Sequence, residues 1–418
     1  MTVVVRNATV ITGVGDEVIE NAGVRIENGM IVEVGRGPTS VPDSATVLDA
    51  EGGTVLPGLI NLHDHMARKK LRISEPGSRY RDQSDALMRS PEPLLAYHTA
   101  ANIQAQLRSG VTTIRDFGLP GSTGILARRA VDAGVIPGPR IIAGGDPICI
   151  TGGHGSNWGA VEADGPVGVT TAVRRQIING ADVLKFMASG GLGTYPEEDP
   201  GIPELNPEEL AAGIAEAHKF HKRAAAHAYS TESIRNAVEA GVDTIEHGAF
   251  MDDETVALMV ERGTAHVPTI SGLIAIAFQY RLIGNEAMAG QILTDIIERL
   301  RNSARLTWRA GVPVGTGTDT SGEVVEELEL LQEATGAATV DVLRAATSTA
   351  AGIAGVGEHT GSLVPGKAAD VLVVDGDVLA EGLDVLRRPR WVLRAGAVFE
   401  GAPMPLGVRV SMLRGVPQ

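Results

Sequence analysis

Hydrophobic and polar positions divide the chain into three stretches. At the start, short β-branched runs alternate with Gly, Asn and Asp, as in "TVVVRNATVITG", "AGVRIENGMIVEVG" and "ATVLDAEGGTVLP". The same texture returns at the end in "ADVLVVDGD", "RWVLRAGAVFEG" and "PLGVRVSML". Runs of this kind bounded by turn residues predict strands, and helical periodicity is sparse in both places. Residues 1–57 and 360–418 are therefore expected to build one small β-sandwich domain from both termini.

Between them, residues 58–359 carry a repeating unit. A helical stretch closes in Gly and an apolar β run follows: "QLRSGVTTIRDFG", "RQIINGADVLKFMASGG", "AVEAGVDTIEHGAF", "MVERGTAHVPTISG" and "TWRAGVPVGTGTD". Gly110, Gly180, Gly241, Gly263 and Gly311 fall where a left-handed helix C-cap belongs. "TVLPGLINLHDH", "PRIIAGGDPICI" and "KRAAAHAYS" complete a set of eight strands, each followed by helical sequence. Apolar strands alternating with helices make an α/β parallel sheet, and eight such units predict a (β/α)8 TIM-like barrel. The alternative is an open doubly wound sheet. It should carry a Gly-rich turn after an early strand, and none is present.

Composition narrows this picture without naming a substrate. Aromatic residues make up 3% of the 418 and Gly numbers 52, so the core is aliphatic and the backbone heavily turned. A net charge of −15 argues against a nucleic-acid or membrane partner. The single cysteine, Cys149, excludes a disulfide framework within the chain and a cysteine-based zinc site. No apolar run approaches about 18 residues. The opening residues lack the apolar core of a signal peptide, so a cytoplasmic protein is expected.

Chemistry in such a barrel sits at the C-terminal ends of the strands. The expected first strand ends in His63 and His65, the fourth carries Lys185, the fifth His227, the sixth His247 and the eighth Asp319. Residues two apart on a strand face one side, so His63 and His65 point together into the barrel while Asp64 points away. Two imidazoles on rigid backbone can chelate one ion, and imidazoles from other strands would join them. One such His is ordinarily a hydrogen-bonded core residue, but three strand ends with His and a fourth with Asp favour metal. His266 on the seventh strand reads as structural. His98, His218, His221 and His359 carry no expected chemistry.

Lys185 has two readings. An ammonium is costly to bury, so it either pairs with an acid such as Asp319 or loses its proton. A neutral amine there can take up CO₂ and become a carbamate, a bidentate anion able to bridge two metals. Four imidazoles, Asp319 and the carbamate would then fill two divalent sites about 3.5–4 Å apart.

At this point the chain resembles the amidohydrolase superfamily of metal-dependent hydrolases. The matching segments are "PGLINLHDH", "LKFMASGG", "AHAYS", "IEHG", "GTD" and "GKAADVLVVD", in that order. Together with "TGGHG" they are most similar to the imidazolonepropionase-like branch, which contains prolidase-type and Xaa-Arg dipeptidases. The resemblance implies that His63, His65 and Asp319 hold one metal, His227 and His247 the other, and carboxylated Lys185 bridges them. It implies zinc, a metal-bridging hydroxide as nucleophile and Asp319 as general base and acid. His154 and Tyr229 match substrate-contacting, catalytic positions. Tyr229 also lies two residues past His227 and faces the same side. Asn61 stands where many relatives have Asp, and it is not a ligand.

The expected reaction is hydrolysis of an amide C–N bond, most simply in a dipeptide or N-acyl amino acid, by a homo-oligomer. A xenobiotic amide, carbamate or urea fits the same chemistry. The rival readings are a mononuclear deaminase or imidazolone ring hydrolase, which would not carboxylate Lys185, and a non-enzymatic scaffold, which would have lost ligands. The loop "MARKKLRISEPGSRYRDQSD" is basic, and Arg68, Lys69, Lys70 and Arg72 read as a solvated or subunit-facing charge run before they read as a trap for an anion. "ASGGLGTYPEEDPG" reads as a specificity loop over the pocket.

Overall fold

The computed structural model describes residues 1–37, 41–68, 90–118, 121–192, 199–282 and 284–404. The N-terminal stretch supplies β1 (Thr2–Ile11), β2 (Val18–Glu27), β3 (Met30–Arg36), β4 (Thr46–Asp49) and β5 (Thr54–Pro57). The central stretch supplies β6 (Leu59–Asp64), β7 (Val111–Asp116), β8 (Arg140–Ala143), β9 (Ile148–Cys149), β10 (Val161–Glu162), β11 (Val183–Met187), β12 (Arg223–Ala228), β13 (Thr244–His247) and β14 (Ala265–Val267). β15 (Val371–Val374), β16 (Pro389–Arg394) and β17 (Ala397–Glu400) follow.

The two ends of the chain meet in one sheet of order β17-β16-β15-β5-β1-β2-β3, with β4 beside β1. The expected sandwich is thus hydrogen-bonded as a single path. β1 is long enough to pair with β2 along one edge while β4 and β5 share the other. β5 joins the termini by pairing antiparallel with β15, Leu56 opposite Leu372. Alternation then sorts the side chains. Val5, Val24, Val55 and Val373 form a core of their own. Leu56, Leu372 and Val392 instead pack with Leu107 and Val111 of the central stretch. The run "PLGVRVSML" lies outside the described residues.

In the central stretch all strand pairs are parallel. β11, β12, β13 and β14 form one ladder and β6, β7 and β8 another. Backbone hydrogen bonds connect the two ladders on both sides. The Asp182 amide, just before β11, donates to the Ala143 carbonyl at the end of β8, 2.7 Å. On the other side, residues 313–319 run between β14 and β6. Gly315 N donates to His266 O at 2.9 Å, and Leu62 N donates to Thr316 O at 2.8 Å. The eight expected strands therefore lie side by side in sequence order, the eighth as an irregular segment. "PRIIAGGDPICI" is not one strand. It breaks at Gly144-Gly145, where Gly145 has φ 66°, and β9 then pairs with β10 and β11 at the rim.

The helices begin and end where their local chemistry directs. Asn206 and Glu209 form a reciprocal capping box on the helix Pro207–Lys219. The five glycines expected as helix C-caps all have positive φ, from 71° at Gly263 to 110° at Gly180. Among the described residues no helix is long and apolar enough to cross a membrane.

β5 passes from the terminal sheet into β6 of the barrel through Gly58. A Cβ at Gly58 would overlap the Thr112 side chain at the start of β7. Gly58→Ala is expected to destabilise the fold by about 1–3 kcal/mol through overpacking, read as a lowered midpoint in urea denaturation.

Candidate metal centre

The predicted site residues converge on one cavity of about 530 Å³. His63, His65, His154, Lys185, His227, Tyr229, His247 and Asp319 all line it. They reach it because β6, β11, β12, β13 and the irregular eighth segment end at the same rim.

His63 and His65 point the same way, with ring centroids 5.4 Å apart. Asp64 points behind them, where its carboxylate accepts from Asn61 at 2.8 Å and from Gln106 at 2.7 Å. Asn61 thus braces the strand end, as a residue that is not a ligand should. One carboxylate oxygen of Asp319 lies 4.0 Å from His63 Nε2 and 3.7 Å from His65 Nε2. This His-His-Asp group brings three ligand atoms within 4.8 Å of one another. His247 continues the cluster 5.0 Å from His63, and His227 lies 4.7 Å from His247, centroid to centroid.

Each imidazole is pinned by one nitrogen, which frees the other. The Glu246 carboxylate can only accept, so His63 Nδ1–H donates to it at 2.8 Å. His65 Nδ1–H donates to the Gly118 carbonyl at 3.1 Å and His227 Nε2–H to the Gly190 carbonyl at 3.2 Å. The Thr269 hydroxyl spends its proton on Pro268 O and accepts from His247 Nδ1–H at 2.6 Å. His63, His65 and His247 are left with a lone pair on Nε2, and His227 with one on Nδ1. Partners of this kind fix tautomer and ring angle in metal sites. Burial pushes all four imidazoles well below the usual histidine range, and neighbouring positive charge adds to it, so they are neutral at physiological pH.

Lys185 is 1% exposed, and its Nζ has no hydrogen-bond partner among the described residues. The ammonium position lies 4.3 Å from the centroid of the Phe117 ring. Burial lowers its pKa from 10.5 to about 7, against the pull of Glu246 and with the push of Arg115. Near neutrality a large share is therefore free amine. The alternative of a direct ion pair with Asp319 is not seen among the described contacts. Burial raises Asp319, which favours it as a proton acceptor.

His154 stacks on His227 at 4.2 Å and meets Trp158 edge-on at 5.2 Å. Gly191 makes room, since a Cβ there would overlap the His154 ring. Tyr229 stacks parallel to His247 at 5.1 Å. Burial and then Asp319 push its phenol well above its usual value, so it remains a hydrogen-bond donor. His266 is structural, with Nε2 bonded to the His247 carbonyl at 2.8 Å.

Three features escaped the sequence reading. Glu246 and Arg115 form a buried pair at 2.8 Å behind His63, and Arg115 also holds the Leu62 carbonyl. Charged residues inside otherwise apolar β runs, "TIEHG" and "TTIRDFG", were the available signal. Arg68 itself is not solvated. It is 6% exposed, lines the cavity and lies over the Trp158 ring at 4.3 Å. Lys69, Lys70 and Arg72 lie outside the described residues, as do residues 193–198 of the proposed specificity loop. The third feature is an apolar wall, Leu273 and Ile276, from the helix Ile270–Leu282.

A parallel barrel whose strand ends collect neutral imidazoles, a carboxylate and a desolvated amine around one cavity has the layout of a hydrolase. The chain belongs to the amidohydrolase family, whose model matches residues 54–401, and it is a hydrolase of amide or peptide C–N bonds. It is 29% identical over 420 residues to an ochratoxinase from Aspergillus niger, covering 92% of this chain and 84% of that one. A prolidase solved with N-methylphosphonate-L-proline is 29% identical with a TM-score of 0.86, covering 96% of this chain and 100% of that one. A Xaa-Pro dipeptidase solved with methionine in its active site is 27% identical with a TM-score of 0.85, again covering 96% and 100%. These neighbours share the barrel with an added domain.

Glu246→Gln removes the charged acceptor of His63 and leaves Arg115 buried and unpaired. Metal affinity is expected to fall about 10–100-fold, measured by competition with a chelator of known affinity.

Lys185 also sets a pH dependence. Its amine titrates at 10.5 when unfolded and at about 7 when folded and metal-free. Between those values the unfolded chain binds more protons, so stability of the metal-free protein rises with pH. Lys185→Met is expected to make the metal-free protein more stable than wild type near neutrality by about 2–4 kcal/mol. The gap should shrink towards about pH 9. Urea denaturation at the two pH values reads both effects.

Proposed function

We propose that the protein is a binuclear metal-dependent amidohydrolase that cleaves the amide bond of a dipeptide or N-acyl amino acid. The observation that carries this is the Lys185 amine, fully buried, without a hydrogen bond among the described residues and lining the same cavity as four imidazoles and Asp319. An orphaned amine in that position is costly for stability. It becomes useful once a carbamate forms on it, because the carbamate is an anion that two cations can share.

The residues present fit two divalent ions. His63, His65 and Asp319 would hold one; His227 and His247, which offer only two nitrogens, need a third ligand that carboxylated Lys185 would complete. Zinc suits an imidazole-rich, oxygen-containing donor set. When bound, the ions make a water acidic enough to ionise near neutrality and draw electrons from the amide carbonyl. The chain does the rest. Asp319, raised by burial, takes the proton of the attacking water and passes it to the leaving nitrogen. Tyr229, held protonated, donates to the oxygen on which charge develops. His154, packed between His227 and Trp158, positions the substrate. The terminal sheet and any subunit contacts support the barrel and take no part in the reaction.

The names of two similar solved proteins support an amide substrate beside an amino acid: a prolidase and a Xaa-Pro dipeptidase. The test is a series of dipeptides and N-acyl-L-amino acids given to metal-loaded protein. Cleavage of at least one member, its loss on chelation, and about two ions per chain are expected. Asp319→Asn should lower kcat by roughly 10²–10⁴-fold. One ion per chain with an unmodified Lys185, shown by intact mass and metal analysis, would replace this reading with the mononuclear one.

A further inference from the structure

We infer that Glu327 is a positioning residue for the site: from behind the cavity wall its carboxylate fixes the turn of residues 269–272, and through that turn the ring of His247 and the seat of Asp319. The kinetic part of this inference rests on the amidohydrolase reading; the geometric part stands on the metal-free protein.

Glu327 is 0% exposed and is not among the residues that line the cavity. Both of its oxygens are engaged by backbone. Oε1 accepts from Ile270 N at 3.0 Å and Oε2 from Ser271 N at 2.7 Å. These are the first two amides of the helix Ile270–Leu282, which have no acceptor within that helix. A carboxylate from a second helix, Val324–Thr335, therefore does the work of an N-cap and places an anion at the positive end of the first. The second helix is anchored in turn. Arg387, from the C-terminal stretch, reaches Glu323 just before it at 3.3 Å and Glu329 within it at 2.6 Å. Burial raises the Glu327 carboxyl to about 7, while the amides of Ser271, Ile270 and Thr269 pull it down.

The turn held in this way touches the site on two sides. Thr269, at φ 55°, accepts from His247 Nδ1–H at 2.6 Å and so sets the angle of that ring. Gly272 lies against the segment that bears Asp319. A Cβ on it would stand 2.7 Å from the Thr318 carbonyl oxygen and 2.8 Å from Asp319 Cβ. Gly322 closes on the same turn, since a Cβ there would stand 2.7 Å from Gly272 N. Leu273 and Ile276, next along the helix, form the apolar wall. His247 and Asp319 come from different strands, and residues 269–272 are wedged between them. The wedge keeps its place only while its foremost amides are held, and Glu327 holds them.

The test separates positioning from general stability. Glu327→Gln keeps the shape but turns an NH₂ group towards one of the two amides. Exchange of ring N–H protons with water is followed by nitrogen-15 NMR of histidine-labelled, metal-free protein at about pH 8, where the wild-type carboxyl is ionised. His247 Nδ1–H reports on the turn, and His63 Nδ1–H, bonded to Glu246, is the internal reference. In Glu327→Gln the rate of the first relative to the second is expected to rise about tenfold or more. A general loss of stability speeds both and keeps the ratio, as Gly58→Ala should. An unchanged ratio in Glu327→Gln overturns the inference. In metal-loaded protein, with a substrate found in the cleavage series, kcat should fall about 100-fold in Glu327→Gln and stay within about threefold in Gly58→Ala. Equal losses of kcat in the two variants also overturn it. Gly272→Ala approaches the wedge from the Asp319 side and should lower kcat as well; a wild-type kcat there removes the link to Asp319, whether or not Glu327→Gln folds. Failure of every amide to be cleaved would instead sink the hydrolase reading, while the exchange ratio still decides the role of Glu327.

Discussion

The structure is organised around a buried primary amine. Lys185 is placed at the rim of a parallel barrel, fully buried, with its Nζ over the Phe117 ring and without a hydrogen bond among the described residues. Burial of an ammonium in such a place costs several kcal/mol, and the cavity responds by shifting the group towards the free amine. The rest of the rim is arranged to suit that neutral form. The four imidazoles around it are neutral too, and the nearest fixed anion behind them, Glu246, is already shared between His63, Arg115 and Thr244. The site is electrostatically unfinished, and a pair of bridged cations is what would complete it.

Rigid backbone makes this arrangement possible. His247, Thr269 and Asp319 all adopt left-handed φ values, 69°, 55° and 50°, which non-glycine residues seldom do. Each costs of order 1 kcal/mol or more. The surroundings hold them there. His266 grips the His247 carbonyl, Glu327 accepts from the amides of Ile270 and Ser271 just after Thr269, and Asp319 N bonds to His63 O. Among the described barrel strands, strain of this kind falls at the strand ends and not in the interiors, so the barrel supplies stability and its rim carries the chemistry.

The cavity is uneven in character. One part offers Arg68, His154 and Trp158; another offers Leu273 and Ile276. The proposed amide joining an apolar group to an amino acid would meet both, and the prolidase and Xaa-Pro dipeptidase of the same fold are named for substrates of that general kind. The aliphatic core and scarcity of aromatics elsewhere make the concentration of rings at the rim the more specific: Trp158 and Tyr229 meet His154 and His227 edge-on, Tyr229 stacks on His247, and these contacts brace the imidazoles laterally.

Local chemistry made much of this legible before any coordinates. Short β-branched and apolar runs between turn residues marked the strands, glycines at C-cap positions marked helix ends, and the pairing of His63 with His65 followed from the pleat alone. The order of the eight units was legible as well, because each is a short-range pattern. What tertiary structure decided was everything that depends on residues far apart in sequence. "PRIIAGGDPICI" was read as one strand and is two, because its partners, β7 on one part and β10 and β11 on the other, lie elsewhere in the chain. Glu246 was one charge in an apolar run until Arg115 met it across the barrel. Arg68 looked like part of a solvated basic stretch, since composition counts charge but cannot tell which way a turn points. A periodic pattern fixes which face a side chain takes; only closure of the barrel determines what stands opposite, and burial energies depend on what stands opposite.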